Sequence, residues 1–368
     1  MTSKERLLHA IRCEPVDCVP VRIWGFDWRQ EQSEPSRRRL AEIAREYGPE
    51  VMAHWGPRTE GDYRPQTENE TCPCPHPGFV EDVTTIHTPK GKLTSAHLRS
   101  LEGKPGYASK HLLETPEDAE KWLSIPWSPS RVDASDWQPA IQRMGDDGVL
   151  YVGIGEPMYA INHLTGSEVW AYWLMEEREL IHRLVAEEQR RHIHFVKELL
   201  AAGVVGIFGY VGPELCIPPL ASPRDFDEFV VAYDKPIHDL IHDAGGLVWV
   251  HCHGRMGPVL ERFAAEGVDC LNPLEPPPMG DVTIAQARKR VGKRMSFDGG
   301  IEAYEIEMRS PGEVEEKVAD AICQSEGIGL ILSLSTDLSH LPILSDKVLE
   351  NLRTFLSTAR REGQRVCA

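Results

Sequence analysis

The chain has 368 residues, 41% of them hydrophobic, and a formal net charge of −17. This length fits one elaborated α/β barrel, and the acidic charge argues against nucleic acid or an anionic membrane as a partner. No apolar run approaches the length of a membrane span, and the nine cysteines have no disulfide-like spacing. We therefore expect a cytoplasmic protein that binds neither membrane nor nucleic acid.

The N-terminal part predicts helices and strands interrupted by one irregular stretch. Residues 58–100 are rich in Pro, Thr, Glu and Gly, which indicates an irregular excursion with a small hairpin at residues 88–93. Ser3 and Thr115 are expected to be helix N-caps. The other predicted elements here are a helix over 3–11, a strand over 19–24, a helix over 36–47 and a strand over 50–55.

From residue 149 onward, apolar strand-like runs alternate with helical stretches. Together with the two N-terminal strands they make eight, which predicts a single (β/α)8 TIM barrel over residues 1–368. A doubly wound open sheet is the alternative, but no GxGxxG turn supports it. The predicted strands are 149–154, 204–209, 247–250, 268–271, 294–297 and 329–334, separated by helices over 167–200, 225–242, 256–265, 283–291 and 311–325.

One stretch, residues 247–281, carries the strongest indication of chemistry. His251 and His253 end a predicted strand on the same face, because side chains alternate along a strand. Glu275 follows the next predicted strand, so parallel pairing would bring it to the same sheet edge. Two imidazoles and a carboxylate suit a catalytic zinc ion. The alternative is that the histidines only make hydrogen bonds and that Glu275 caps a turn.

Other polar residues also follow predicted strands, where the active sites of such barrels lie. Glu156, Tyr210 and Glu302 are candidates to supply a proton or to orient a substrate, although capping a helix is the alternative for each acid. Asp298, Gly299 and Gly300 indicate close approach of the backbone to a ligand, or a tight turn. His340 lies near the end of the last strand.

These features resemble the uroporphyrinogen decarboxylase superfamily, whose fold is a (β/α)8 barrel. The resemblance rests on residues 4–21, the Thr88-Pro89-x-Gly91 turn, residues 164–166 and 222–226, Gly245-Gly246 and residues 297–301. The decarboxylases proper use no metal and carry an arginine-containing N-terminal segment. Residues 24–30 (WGFDWRQ) stand in its place here.

The resemblance extends to the zinc methyltransferases of this superfamily, which work with a corrinoid. Their His-x-Cys-Gly pattern becomes His251-Cys252-His253-Gly254 here, so His253 stands where the cysteine would be. Glu275 lies in the place of a zinc-binding Glu of the related cobalamin-independent methionine synthase. His340, Thr336 or water would complete the set of ligands. A metal bound without thiolate ligands is more Lewis-acidic.

The resemblance therefore implies a Zn²⁺-dependent methyltransferase that moves a methyl group between a small-molecule donor, such as a methyl ether, and cobalamin. The corrinoid would be free or carried by a separate protein, because the DxHxxG motif of carrier domains is missing. The resemblance leaves the oligomeric state open between a monomer and a homodimer like that of relatives. The alternatives are a metal-free decarboxylase or other lyase, a metal-dependent hydrolase, and a tetrapyrrole or corrinoid carrier.

Overall fold

The structure, a computed structural model, describes residues 1–61 and 63–368. Its strands are β1 (Val21–Arg22), β2 (Val51–Trp55), β3 (Arg58–Glu60), β4 (Thr67–Pro73), β5 (Phe79–Thr88), β6 (Gly91–Ser100), β7 (Tyr107–Lys110), β8 (Arg131–Asp133), β9 (Gly148–Gly153), β10 (Ile207–Val211), β11 (Leu247–His251), β12 (Cys270–Leu274), β13 (Ser296–Ile301) and β14 (Leu330–Leu334).

The helices are α1 (Ser3–Ile11), α2 (Pro35–Tyr47), α3 (Pro116–Leu123), α4 (Trp137–Met144), α5 (Pro157–Glu176), α6 (Arg178–Ala201), α7 (Pro223–Phe226), α8 (Ala232–Asp243), α9 (Leu260–Glu266), α10 (Ile284–Val291), α11 (Ala303–Met308), α12 (Pro311–Ser325) and α13 (Asp346–Cys367). A π-helical turn, Asp227–Val231, joins α7 to α8, and short 3₁₀ helices occupy Glu214–Cys216 and Gly257–Val259.

Eight parallel strands form one sheet in the order β1-β14-β13-β12-β11-β10-β9-β2, which is chain order around a nearly closed barrel. The predicted (β/α)8 barrel and its eight strands are confirmed. Several strands lie two to three residues further along the chain than predicted, as with β10 and β12. Side chains facing outward from the strands pack with the helices in one continuous core.

The gap between β1 and β2 is bridged by Glu50. Its backbone N–H donates to the Val21 carbonyl at 2.9 Å, and its carboxylate accepts the Val21 N–H at 2.8 Å. Arg6 and Arg360 pair with the same buried carboxylate at 2.6 and 3.0 Å. The two positive charges offset the cost of burying Glu50.

Helix α1 covers the N-terminal end of the barrel. Leu7, Ala10 and Ile11 pack against inward-facing residues of the strands, among them Trp249 and Ile331. Because this end is covered, a substrate has to reach the barrel interior from the C-terminal ends of the strands, where the candidate site residues lie.

Several local predictions were wrong. Residues 67–110 are not irregular but form a four-stranded antiparallel sheet, β4-β5-β6-β7, although the predicted hairpin is confirmed where Thr88 pairs with Gly91. Asp62, within the same predicted excursion, lies outside the described residues. The N-cap of α1 is Thr2 rather than Ser3, whereas Thr115 caps α3 as predicted. The predicted helix over 167–200 is two helices, α5 and α6, divided at Glu177.

Candidate metal centre

The two histidines stand at the C-terminal end of β11, which lies between β10 and β12 in the sheet. His251 and Trp249 stack with Trp24, while the intervening Val250 belongs to the core shared with the helices. The alternation of side chains along the strand therefore directs His251 to the barrel interior. His253 follows, with its ring centroid 4.7 Å from that of His251.

Glu214 joins the two histidines in a cluster of three. One ligand atom from each of Glu214, His251 and His253 lies within 4.8 Å of the others, and all three residues are half-buried. Glu214 lies in the 3₁₀ helix that follows β10, and one of its oxygens accepts the backbone N–H of His253 at 3.1 Å.

His251 is held by Asn272 on the neighbouring strand. Its Nδ1 lies 2.6 Å from the Asn272 Oδ1, and the Asn272 amide nitrogen donates to the backbone carbonyl of Asp298 at 3.1 Å. The second bond orients the amide so that its oxygen accepts from His251 Nδ1–H, which leaves Nε2 as the ligand atom. Burial lowers the pKa of His251, which favours the neutral, metal-binding form.

His253 is held by Glu275 in the same way. Its Nδ1 lies 2.9 Å from Glu275 Oε1, and Oε2 of that carboxylate accepts the Gly254 N–H at 3.0 Å. Burial lowers the pKa of His253, but the hydrogen bond and negative charge of Glu275, with the charges of Glu214 and Glu302, raise it overall. Glu275 therefore fixes the ring and leaves Nε2 of His253 available.

This donor set fits a divalent metal ion of the zinc type. Two imidazole nitrogens and one carboxylate oxygen are the ligand types of catalytic zinc, which keeps a further position open for water or substrate. Zinc-binding histidines almost always donate their second ring nitrogen to a carboxylate or carbonyl oxygen, as Asn272 and Glu275 provide here.

Of the four predicted ligands, the structure brings His251 and His253 together and places the other two outside the cluster. Glu275 lies behind His253, with both oxygens engaged. His340 is exposed and its Nε2 lies 2.6 Å from Glu307. Glu214 was not among the predicted ligands, although it follows β10, the strand next to β11.

Among the three predicted acid–base residues, Glu302 is the one whose negative charge contributes to raising the pKa of His253. Burial, together with the nearby negative charge of Glu275, raises the pKa of Glu302 to about 7, against the hydrogen bond that Ser335 Oγ donates at 2.8 Å. Its other oxygen is buried and has no partner among residues 1–61 and 63–368. A carboxyl group with this pKa can both give and take a proton near neutral pH.

Glu156 and Tyr210 face the helices instead. Glu156 is the N-cap of α5: its carboxylate accepts the N–H groups of Met158, at 2.8 Å, and Tyr159. The Tyr210 hydroxyl lies 2.8 Å from His238 Nε2 on α8. Both side chains are buried between the strands and the helices, so the structure places neither of them in the metal cluster.

Asp298, Gly299 and Gly300 are likewise used inside the fold. Asp298 accepts hydrogen bonds from Arg22, from the Trp249 indole at 3.1 Å and from Ser333, all within the barrel. A Cβ on Gly299 would lie 2.8 Å from the backbone nitrogen of Leu274, so the glycine is needed for close approach of β13 to β12. The structure gives these residues a packing role and shows no surface on them for a cofactor.

Comparison with known proteins agrees with this architecture. The sequence model described as uroporphyrinogen decarboxylase (URO-D) matches residues 138–362. The chain belongs to this family. No helix among the described residues is both long and apolar enough to cross a membrane.

Curated relatives match part of the chain. A uroporphyrinogen decarboxylase from Microcystis aeruginosa is 29% identical over 143 residues, which cover 38% of this chain and 37% of the relative. One from Prochlorococcus marinus is 24% identical over 194 residues, or 51% and 50% of the two chains. The chain thus spans half or less of the length of these relatives.

A solved structure described as a methyltransferase from Methanosarcina mazei is similar over almost its whole length. The TM-score is 0.60, with 15% identity, covering 98% of this chain and 99% of that one. At this level of identity the likeness concerns the fold.

Proposed function

We propose that this protein is a zinc-dependent methyltransferase that moves a methyl group from a small-molecule ether to a corrinoid. The observation that carries the proposal is the convergence of Glu214, His251 and His253 at the open end of the barrel. The two histidines are oriented by hydrogen bonds on their Nδ1 atoms, so the ligand set is organised before a metal arrives.

The donor set suggests the kind of bond that is broken. A zinc ion held by imidazole and carboxylate, with no thiolate, would supply a Lewis acid that stabilises negative charge on an ether oxygen. A reduced corrinoid, when bound, would supply the electron pair for a new bond to the methyl carbon, and the pair of the broken C–O bond would stay on the ether oxygen.

Glu302 has the chemistry needed to complete this step. The departing oxygen needs a proton unless it leaves as a stable anion, and a carboxyl group with a pKa of about 7 carries one about half of the time at neutral pH. Ser335 holds one carboxyl oxygen of Glu302, and the second is free to hold the proton.

The open end of the barrel also has features suited to a large acceptor. Several apolar side chains that follow the C-terminal ends of the strands are exposed, and an exposed apolar patch is typical of a surface that binds a ligand or a partner. These residues are Val211, Leu220, Met279, Tyr304, Met308 and Ile343. They support the docking of cobalamin, or of a separate corrinoid protein, over the metal site. We take the metal site and this surface to belong to a single barrel domain, residues 1–368.

The proposal is tested by following the visible spectrum of cob(I)alamin as it becomes methylcobalamin in the presence of methyl ethers. Zinc-loaded protein should catalyse the change, and a chelator should abolish it. Replacement Glu302→Gln should lower kcat by about 10²- to 10⁴-fold, the usual contribution of a general acid. The matched control, Glu307→Gln, changes a carboxylate that pairs with His340 and should leave kcat unchanged. Equal rates with and without zinc would refute the proposal.

Decarboxylation is the second candidate, because the curated relatives are named uroporphyrinogen decarboxylases. This reaction would release carbon dioxide from uroporphyrinogen and would not need the histidines. Release of carbon dioxide by metal-free protein, at an unchanged rate in His251→Ala, would favour this candidate over methyl transfer.

A further inference from the structure

A cavity of about 440 Å³ opens where β1 and β2 are not joined by a ladder, and Trp24 in its wall stacks on His251 of the metal cluster. It lies between β1, β2, β9 and the start of α2, and its volume is within the range of small-molecule sites. An apolar cavity of about 150 Å³ can hold benzene, so this one has room for a ring with polar substituents.

One wall of the cavity is aromatic. Trp24 lines it, together with Phe26 and Tyr151. The Trp24 indole stacks on Trp249 and His251, with ring centroids 5.4 and 5.0 Å apart. The Arg22 guanidinium also lies over the Trp24 ring, 4.4 Å from its centroid. Trp24 is therefore held in place from several sides, and with Phe26 and Tyr151 it gives the cavity an aromatic wall against which a planar ligand can pack.

The cavity also presents one positive charge that is not matched by a carboxylate. The Arg37 guanidinium donates to the backbone carbonyls of Leu338 and Leu341 at 2.9 and 3.2 Å. Among residues 1–61 and 63–368, no carboxylate oxygen lies within 4.0 Å of it. A guanidinium has five N–H donors in a planar fork, so Arg37 keeps donors for a carboxylate ligand.

The other charged groups of the cavity already have partners. Arg22 pairs with Asp298 inside the barrel, and Asp27 pairs with Arg29 at 2.8 Å. The lining is therefore neutral except for Arg37. In a protein with a net charge of −17, an unmatched arginine at a cavity is a selective feature for an anion.

We propose that this cavity binds an aromatic carboxylate, and that the methyl donor is an aromatic methyl ether that carries one. The ring packs against the aromatic wall, the carboxylate pairs with Arg37, and the methoxy group is directed toward the cluster. The assignment of the donor rests on the proposed function, but binding of the aromatic carboxylate does not require methyl transfer.

The test is isothermal titration of the metal-free protein with 4-methoxybenzoate, with neutral anisole and with cyclohexanecarboxylate. The wild type should bind 4-methoxybenzoate more tightly than either of the others, since only this ligand offers both a ring and a charge. Replacement Arg37→Gln should weaken 4-methoxybenzoate by about 10- to 100-fold, as expected for a charge-assisted hydrogen bond, and should leave anisole unchanged.

The matched control is Arg39→Gln, on the same helix, whose guanidinium pairs with Asp346 at the surface. The Arg39→Gln replacement should change the affinity for 4-methoxybenzoate less than about twofold, because the ion pair that it removes is exposed and contributes little energy. Arg37→Lys keeps the charge without the planar fork and should retain part of the affinity. Circular dichroism confirms that each variant is folded. Wild type that fails to bind 4-methoxybenzoate, or folded Arg37→Gln that binds it as the wild type does, would overturn the inference.

The two proposals fail in different ways. Tight binding of 4-methoxybenzoate without methyl transfer to cob(I)alamin would contradict the proposed function and leave the binding site in place. Methyl transfer from an aliphatic ether, with no binding of 4-methoxybenzoate, would overturn the inference and leave the proposed function in place.

Discussion

The buried carboxyl group of Glu156 makes stability depend on pH in a direction that can be calculated. Burial raises its pKa from 4.5 to about 7, although the N–H groups that it caps act in the opposite direction. Asp234 lies beside it, and burial and the charge of Glu156 raise the pKa of Asp234 too. The folded protein therefore binds protons that the unfolded chain releases above about pH 4.5.

The size of the effect on the free energy of unfolding follows from the rise in the pKa of Glu156. At about 1.4 kcal/mol for each pH unit, a rise from 4.5 to about 7 is worth about 3 kcal/mol. Because the folded state holds the extra proton, the wild type loses this free energy of unfolding as the pH rises from about 4.5 to 7. Little further change from Glu156 is expected above pH 7.

Replacement Glu156→Gln removes this titration but keeps one oxygen to cap α5. We expect the variant to be less stable than wild type by about 1 kcal/mol at pH 5, where a capping acceptor is lost. Between pH 5 and pH 8 the difference in free energy of unfolding should shift in favour of the variant by about 2.5 kcal/mol. Urea unfolding followed by circular dichroism at both pH values measures the change.

The matched control is Glu34→Gln. Glu34 also caps a helix, accepting the Arg37 N–H at 2.9 Å, but its pKa is lowered by the hydrogen bond from Ser36. It is ionised in both folded and unfolded chains from pH 5 to 8, so the effect of its replacement should not vary with pH. A pH-independent difference between Glu156→Gln and wild type would refute the reasoning.

Three further predictions concern the barrel interior. Asn272→Ala removes the partner of His251 Nδ1 and should lower zinc affinity by about 10- to 100-fold. Competition with a chromogenic chelator measures this affinity, and an unchanged value would contradict the supporting role of Asn272. Arg22→Met leaves the Asp298 carboxylate buried and unpaired, so urea unfolding should show a loss of about 3–5 kcal/mol, and adding Asp298→Asn should recover part of it. Zinc at 100 times its dissociation constant should raise the free energy of unfolding by about 2.7 kcal/mol, and a thermal melt of His251→Ala should show no such response.

The barrel could be predicted because its strands are apolar runs that alternate regularly with helices. The same reasoning failed for β4 to β7, where side chains on both faces of the sheet are largely exposed or half-buried and no apolar alternation marks the strands. Helix α13 was missed for a different reason. Its buried Leu349, Leu352, Phe355 and Leu356 have helical spacing, so the signal was present after the last strand and could have been found.

The candidate metal cluster was predicted only in part. Strand alternation brings His251 and His253 to the open end of the barrel, and parallel pairing brings acids from both neighbouring strands to them. Which acid joins the cluster depends on the loops. The 3₁₀ helix after β10 brings the Glu214 carboxylate to the cluster, whereas Glu275 meets the opposite nitrogen of His253. Spacing in the sequence does not distinguish these two outcomes.

The proposed metal centre is best tested in a set of single variants, by zinc stoichiometry from elemental mass spectrometry and zinc affinity from chelator competition. We expect about one zinc per chain in the wild type and loss of zinc in Glu214→Gln, His251→Ala and His253→Ala. Glu275→Gln should still bind zinc, with affinity about 10- to 100-fold lower, because Glu275 supports a ligand without being one. His340→Ala should bind as the wild type does. Full zinc content in folded Glu214→Gln, or a wild type that takes up no zinc, would refute the proposed metal centre.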